Sequence, residues 1–147
     1  MAEGAPIIID PAMADNGKLY CGFDREFAAK MADFVSGADY CLPNITEASF
    51  ILGLDYKTEY GEDYVLDICR GLYRIGAKNT VLTGVSFDPA KLGVAVCCGE
   101  TDTVQYHFEE RIPVSMHGTG DIFASVFTGA LVVGTPPSKP QNSLLRL

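Results

Sequence analysis

Ala5-Pro6-Ile7-Ile8-Ile9-Asp10-Pro11 is the stretch on which the reading of the fold turns. Its three consecutive isoleucines show no alternation with polar residues, so both faces of the segment call for burial. A short run of that kind suits a parallel strand covered by helices on both sides. Pro11 then forces the chain out of the sheet, leaving Asp10 at the strand's carboxyl end. Open α/β sheets bind ligands beyond the carboxyl ends of their strands. Asp10, and Asp15 in the turn-rich Ala14-Asp15-Asn16-Gly17, therefore stand where a site would form. An Asp-Pro turn followed by a solvated loop would account for the same residues, and both readings stay open.

Working outward, residues 24–35 place Phe27, Met31 and Phe34/Val35 at helical spacing, with Gly37 just past the end. Residues 38–42 form a second short apolar run, followed at once by Pro43-Asn44-Ile45-Thr46-Glu47 and another apolar segment. Asn44-x-x-Glu47 is the spacing of a capping box at a helix start. The competing reading gives Glu47 a share in a magnesium ion, which is bound through few carboxylates completed by water and phosphate oxygens. Residues 62–75 carry Val65, Ile68, Cys69 and Leu72 on one helical face. Residues 79–84 read as a strand ending in Thr83-Gly84, and residues 94–98 and 103–108 as an antiparallel edge hairpin with one wet face. The alternation predicts an α/β fold: a mostly parallel sheet covered by helices. Only about three parallel strands are present, so the chain reads as part of a doubly wound domain.

Size and composition bound the function. A chain of 147 residues, 48% of them apolar, supports one globular domain with a real core. A net charge of −8 argues against a nucleic-acid surface and makes a cation the natural mediator for any bound nucleotide. No run approaches the roughly 18 apolar residues of a membrane helix. Five cysteines without a C-x-x-C pair, and two histidines, give no zinc signature. The expectation is a cytoplasmic protein with reduced, mostly buried thiols. Residues 134–147, broken by prolines, read as an extended or disordered tail after a domain over residues 1–133.

Met116-His117-Gly118-Thr119-Gly120-Asp121 runs straight into an apolar segment, with a helix expected over residues 121–133. Glycines admit a ligand close to the backbone, and the unpaired N–H groups of a helix's first turn attract anions. A carboxylate beside bound phosphate makes sense if Asp121 takes a proton from a hydroxyl that attacks phosphorus. A glycine loop in which Thr119 or Asp121 merely caps a core helix is the alternative.

Four blocks in order, I-I-I-D-P-A-M-A-D-N-G-K-L-Y (7–20), L-P-N-I-T-E-A (42–48), T-V-L-T-G (80–84) and G-T-G-D-I-F-A-S (118–125), resemble the carboxyl-terminal half of the pyridoxal kinases of the ribokinase-like superfamily. The resemblance spans roughly residues 6–133. It implies a three-layer α/β/α sandwich, present as a partial domain from a truncated gene product. It implies phosphorylation of the 5′-hydroxymethyl of pyridoxal, pyridoxamine or pyridoxine by ATP. In that reading Asp121 is the base, and Gly118, Thr119 and Gly120 hold the transferring phosphoryl group. Asp10, Asn44 and Thr83 line the nucleotide with Gly118 and Thr119, while Asp15 and Glu47 hold Mg2+; assistance by K+ stays open. The partners implied are a B6 vitamer and ATP, with a homodimer as the form that association of unpaired strand edges would take. Ala14 departs from the family's usual glycine. The alternatives are a hydroxymethylpyrimidine (phosphate) kinase, which typically has cysteine at the position of Asp121, and a non-catalytic nucleotide-binding remnant.

Overall fold

The computed structural model describes residues 4–113 and 118–134. A five-stranded sheet runs in the order β1 (Ile8–Ile9), β4 (Tyr40–Cys41), β5 (Asn79–Val85), β6 (Lys91–Cys98), β7 (Thr103–Glu110). β1, β4 and β5 pair in parallel, and the β6–β7 hairpin extends the sheet antiparallel. Four of the five strands thus share one direction, as the alternation of elements predicted. The first two ladders are only two residues long, shorter than the apolar runs that contain them, because Pro6, Pro11 and Pro43 flank them and cannot donate.

A small hairpin, β2 (Ala14–Asp15) with β3 (Lys18–Leu19), replaces the loop expected after Pro11. Its two turn residues, Asn16 and Gly17, have φ of 50° and 76°. An Asn-Gly pair accepts this conformation at little cost, and its twist matches that of the flanking strands.

Helices α1 (Arg25–Val35), α2 (Ile45–Leu52) and α3 (Glu62–Arg74) follow in order. Asp24 caps α1 by accepting the Phe27 N–H at 2.8 Å. α1 buries Ala28 and Val35, with Met31 and Ala32 partly covered, and leaves Phe34 65% exposed. The two phenylalanines expected in the core lie on its flank, because packing selected the stripe with the smaller side chains. α3 follows its periodicity: Val65, Ile68, Cys69 and Leu72 are all buried.

The main core joins α1, α2 and α3 to Ile9, Cys41, Leu82, Ala95 and Cys97 of the sheet. Tyr40, next to Cys41, must face the other way, and its ring meets Phe127 of α4 (Thr119–Val132) at 5.4 Å. Helices therefore cover both faces, giving three layers. At the far edge, Val104, Tyr106 and Phe108 of β7 turn inward, and Phe87 packs edge-on against the two rings at 5.4 and 5.5 Å.

One expectation is corrected. Cys69 of α3 and Cys97 of β6 are joined by a disulfide rather than held as thiols, at a sequence separation of 28. Strand alternation turns Cys97 toward α3 and its neighbour Cys98 away, so packing, not cysteine spacing, chose the pair. Cys21, Cys41 and Cys98 remain free. Burial pushes the Cys41 thiol up to about 12, so it has almost no thiolate at ordinary pH. Iodoacetamide at pH 8 should label exposed Cys21 in the native protein and reach Cys41 only after unfolding, as peptide mass mapping would reveal. Among the described residues, no helix is long and apolar enough to cross a membrane.

Candidate active site

The carboxyl ends of β1, β4 and β5 and the amino end of α4 converge. α4 begins at Thr119 rather than Asp121, with Gly118 as its N-cap at φ 85°. A side chain at that φ is strained, which is why glycine stands there. No side chain caps the helix, so neither Thr119 nor Asp121 performs the capping duty that the sequence allowed them. The first-turn N–H groups, those of Thr119, Gly120 and Asp121 among them, have no intrahelical acceptor and carry the positive end of the helix dipole. Met116 and His117 lie outside the described residues.

Asp10, half-buried at the end of β1, has its pKa raised first by burial and then by the charge of Asp121. Two carboxylates from opposite ends of the chain are thus close enough to repel one another. Tyr20, just past β3, has its phenol raised by burial and then by the charges of Asp15, Glu47, Asp121 and Asp10. It is a member of the cluster that sequence reasoning did not assign. Its only signal was the Asn-Gly hairpin, which brings its N–H back to the Met13 carbonyl at 2.9 Å.

The amino end of α2 organises this region. Asn44 Oδ1 accepts the Glu47 N–H at 2.9 Å and Glu47 Oε2 accepts the Asn44 N–H at 2.8 Å, a complete capping box. Glu47 Oε1 also accepts the Met13 N–H at 3.2 Å, Asn44 Nδ2 donates to the Ala14 carbonyl at 2.8 Å, and Thr46 Oγ1 accepts the Gly17 N–H at 3.0 Å. One helical turn therefore clamps the β2–β3 hairpin at three points. Gly17 also lies flat on Tyr56, where an added Cβ would stand 2.7 Å from the ring. Thr46, 2% exposed, is a second member that the spacing did not reveal.

The sequence-assigned residues differ in what they have left to offer. Thr83 sits beside Asn44 through an isolated parallel bridge, with its N–H donated to the Pro43 carbonyl at 2.9 Å. The Asn44 amide and both Glu47 oxygens are engaged with protein groups. Asp15 accepts from the N–H and Nδ2 of Asn16 at 2.8 and 2.9 Å. Among the described residues, no three His, Cys, Asp or Glu side chains form a group that could hold a metal ion by themselves. Magnesium needs fewer protein carboxylates, because water and phosphate oxygens complete its shell, and a cation here would relieve the repulsion between Asp10 and Asp121.

Glu47 is 4% exposed, and burial raises its carboxyl from 4.5 to about 7 against the opposing pull of its backbone hydrogen bonds. Between those values the unfolded chain has lost a proton that the folded chain keeps. Stability should therefore fall as pH rises through that window, by at most on the order of 3 kcal/mol. Urea unfolding at pH 5 and pH 7.5 would measure the slope. Glu47→Gln should leave only the smaller slope that Asp10 contributes in the same direction.

The three-layer sheet with a glycine–aspartate helix start defines the ribokinase-like class of phosphotransferase folds. A sequence profile of the phosphomethylpyrimidine kinase family matches residues 1–140, and the chain belongs to that family. Pyridoxal kinase from Lactobacillus plantarum superposes with a TM-score of 0.80 at 34% identity, over 91% of this chain and 47% of its own. A Bacteroides thetaiotaomicron protein assigned as a phosphomethylpyrimidine kinase, crystallised with pyridoxal, superposes with a TM-score of 0.85 at 30% identity, over 92% of this chain and 48% of its own. Pyridoxal kinase from Dictyostelium discoideum is 26% identical over 131 residues, 83% of this chain and 42% of its own length. The chain thus spans about half the length of the relatives it matches.

Proposed function

We propose that the site phosphorylates the 5′-hydroxymethyl group of a B6 vitamer with ATP, yielding the vitamer 5′-phosphate and ADP. The observation that carries this reading is Asp121 in the first turn of α4, behind the Gly118 N-cap and close enough to Asp10 at the end of β1 for their charges to interact. Asp121 accepts the proton of the hydroxymethyl group. The hydroxymethyl oxygen attacks the γ-phosphorus, the bond from that phosphorus to the bridging oxygen breaks, and ADP leaves. The N–H groups of Thr119, Gly120 and Asp121 stabilise charge on the transferring group, which is where phosphoryl transfer gains most from a protein. Thr83 and Asn44 border the nucleotide at the ends of β5 and β4. Asp10 and Asp15 would hold a magnesium ion, which would neutralise phosphate charge, with Glu47 acting from behind through the hairpin it fixes.

Two features favour the B6 branch over the pyrimidine branch. Asp121 stands where the pyrimidine kinases typically carry cysteine, and the relatives above include two pyridoxal kinases and a protein crystallised with pyridoxal. The test is formation of pyridoxal 5′-phosphate from ATP, with 4-amino-5-hydroxymethyl-2-methylpyrimidine as competing substrate. Preference for the pyrimidine would overturn the assignment. Nucleotide binding is separable from turnover. Mg·ATP at about 100 times its dissociation constant should stabilise the fold by roughly 2.7 kcal/mol, and the absence of any shift in Tm at millimolar nucleotide would remove the nucleotide site.

A further inference from the structure

Three of the seven tyrosines, Tyr56, Tyr60 and Tyr64, stand four residues apart across the connection from α2 to α3. Glycines bound that connection: Gly53 is the left-handed C-cap of α2, and Gly61 is the N-cap of α3. Tyr64, buried in the first turn of α3, anchors its middle by donating to the Asp55 carbonyl at 2.8 Å and meeting the Ser49 hydroxyl at 2.9 Å. Lys57 Nζ lies over the same ring, 4.9 Å from its centre. From this anchor the other two tyrosines reach two separate segments. The Tyr56 ring covers the turn of the β2–β3 hairpin and occupies the place where a side chain at Gly17 would begin. Tyr60 Oη accepts the Ser86 N–H at 3.1 Å and donates to the Gly84 carbonyl at 3.4 Å. There the register of β5 with β6 shifts between Thr83 and Val85, and Gly84 has a φ of 71°. The hydroxyl thus holds backbone that departs from the regular ladder.

Neither segment is stiff by itself. A hairpin with two residues in each strand is marginal in isolation, and an irregular strand end has lost part of its ladder. Their mutual position is set by what they lean on. Yet these are the segments that carry Asp15 and Thr83. We propose that residues 53–61 form a strut, in which Tyr56 and Tyr60 are positioning residues that hold the hairpin and the end of β5 in one arrangement around a nucleoside triphosphate and its divalent cation. For that ligand the inference rests on the nucleotide site proposed above; for the strut it rests on packing alone. What the tyrosines supply is preorganisation, since segments already in place need not be ordered when the ligand arrives.

The test combines residue-resolved hydrogen exchange by NMR with titration of Mg·ATP on the same variants. The Gly17 N–H, donated to Thr46 Oγ1, and the Tyr20 N–H, donated to the Met13 carbonyl, report the hairpin, and the Ser86 N–H reports the end of β5. Tyr56 is 37% exposed, so truncating it should leave the fold intact. Tyr56→Ala should speed exchange at both hairpin amides by at least about tenfold and leave α3 unchanged. Tyr60→Phe should speed exchange at Ser86 and, through the shared connection, at Gly17. Both should weaken Mg·ATP by about tenfold, because apparent affinity falls with the fraction of molecules in the competent arrangement. Tyr56→Phe keeps the ring and should restore both readings. Phe34→Ala, on the exposed flank of α1, should leave every reading within about twofold. Unchanged hairpin exchange in Tyr56→Ala would overturn the proposal, as would a Tyr60→Phe effect confined to Ser86. So would faster exchange with unchanged nucleotide affinity, which would make the connection structural only. A parent protein that does not bind Mg·ATP would remove the nucleotide site, while exchange would still decide the strut.

Discussion

Asp121→Asn is expected to lower ATP-dependent formation of pyridoxal 5′-phosphate by about 10²–10⁴-fold, the usual contribution of a positioned general base. Asparagine keeps the shape of the side chain and cannot accept the proton. Because Asp121 is exposed and does not cap α4, the substitution should cost the fold little. It also removes the charge that helps to raise Asp10, so Asp10 should titrate closer to its ordinary range in the variant. Loss of kcat with unchanged Tm would identify a chemical role. Unchanged turnover would remove Asp121 as the base, whatever the remaining cluster does.

Reduction of the Cys69–Cys97 disulfide is expected to destabilise the domain by about 3–4 kcal/mol, the chain-entropy value for a loop of this length. That is a large part of the total stability of a small domain. The bond ties α3 to β6 across the main core, so its loss should loosen the helix against the sheet. Urea unfolding with and without a phosphine reductant measures the difference, and Cys97→Ser should reproduce the reduced curve without reductant. Coincident curves would mean that the two sulfurs are not joined in solution.

Much of the architecture was legible because local pattern and tertiary demand agree. The stripe Val65-Ile68-Cys69-Leu72 and the alternation Val104-Tyr106-Phe108 match the burial they receive, whereas the isoleucine run before Asp10, expected to be covered on both faces, buries Ile9 and leaves Ile7 42% exposed. Where pattern offered two stripes, as in α1 with its exposed Phe34, only packing against α2 could choose. The site divides in the same way. Asn44 and Glu47 were legible as a capping pair, since the box closes over three residues. That Glu47 also reaches Met13, and Thr46 reaches Gly17, depends on a hairpin returning from about thirty residues upstream. No local signal carries such contacts.

The sequence by itself determined the order of the main strands and helices, the start of the last helix to within two residues, and the residue types placed at the strand ends. Those follow from backbone preferences and from hydrophobic period, which act over a few residues. Only the tertiary structure decided that the charge of Asp121 reaches Asp10, that Tyr20 joins them, and that Cys69 meets Cys97. Each of these joins segments far apart in the chain. Their approach is set by how whole helices pack on the sheet, a condition that no short stretch of residues encodes.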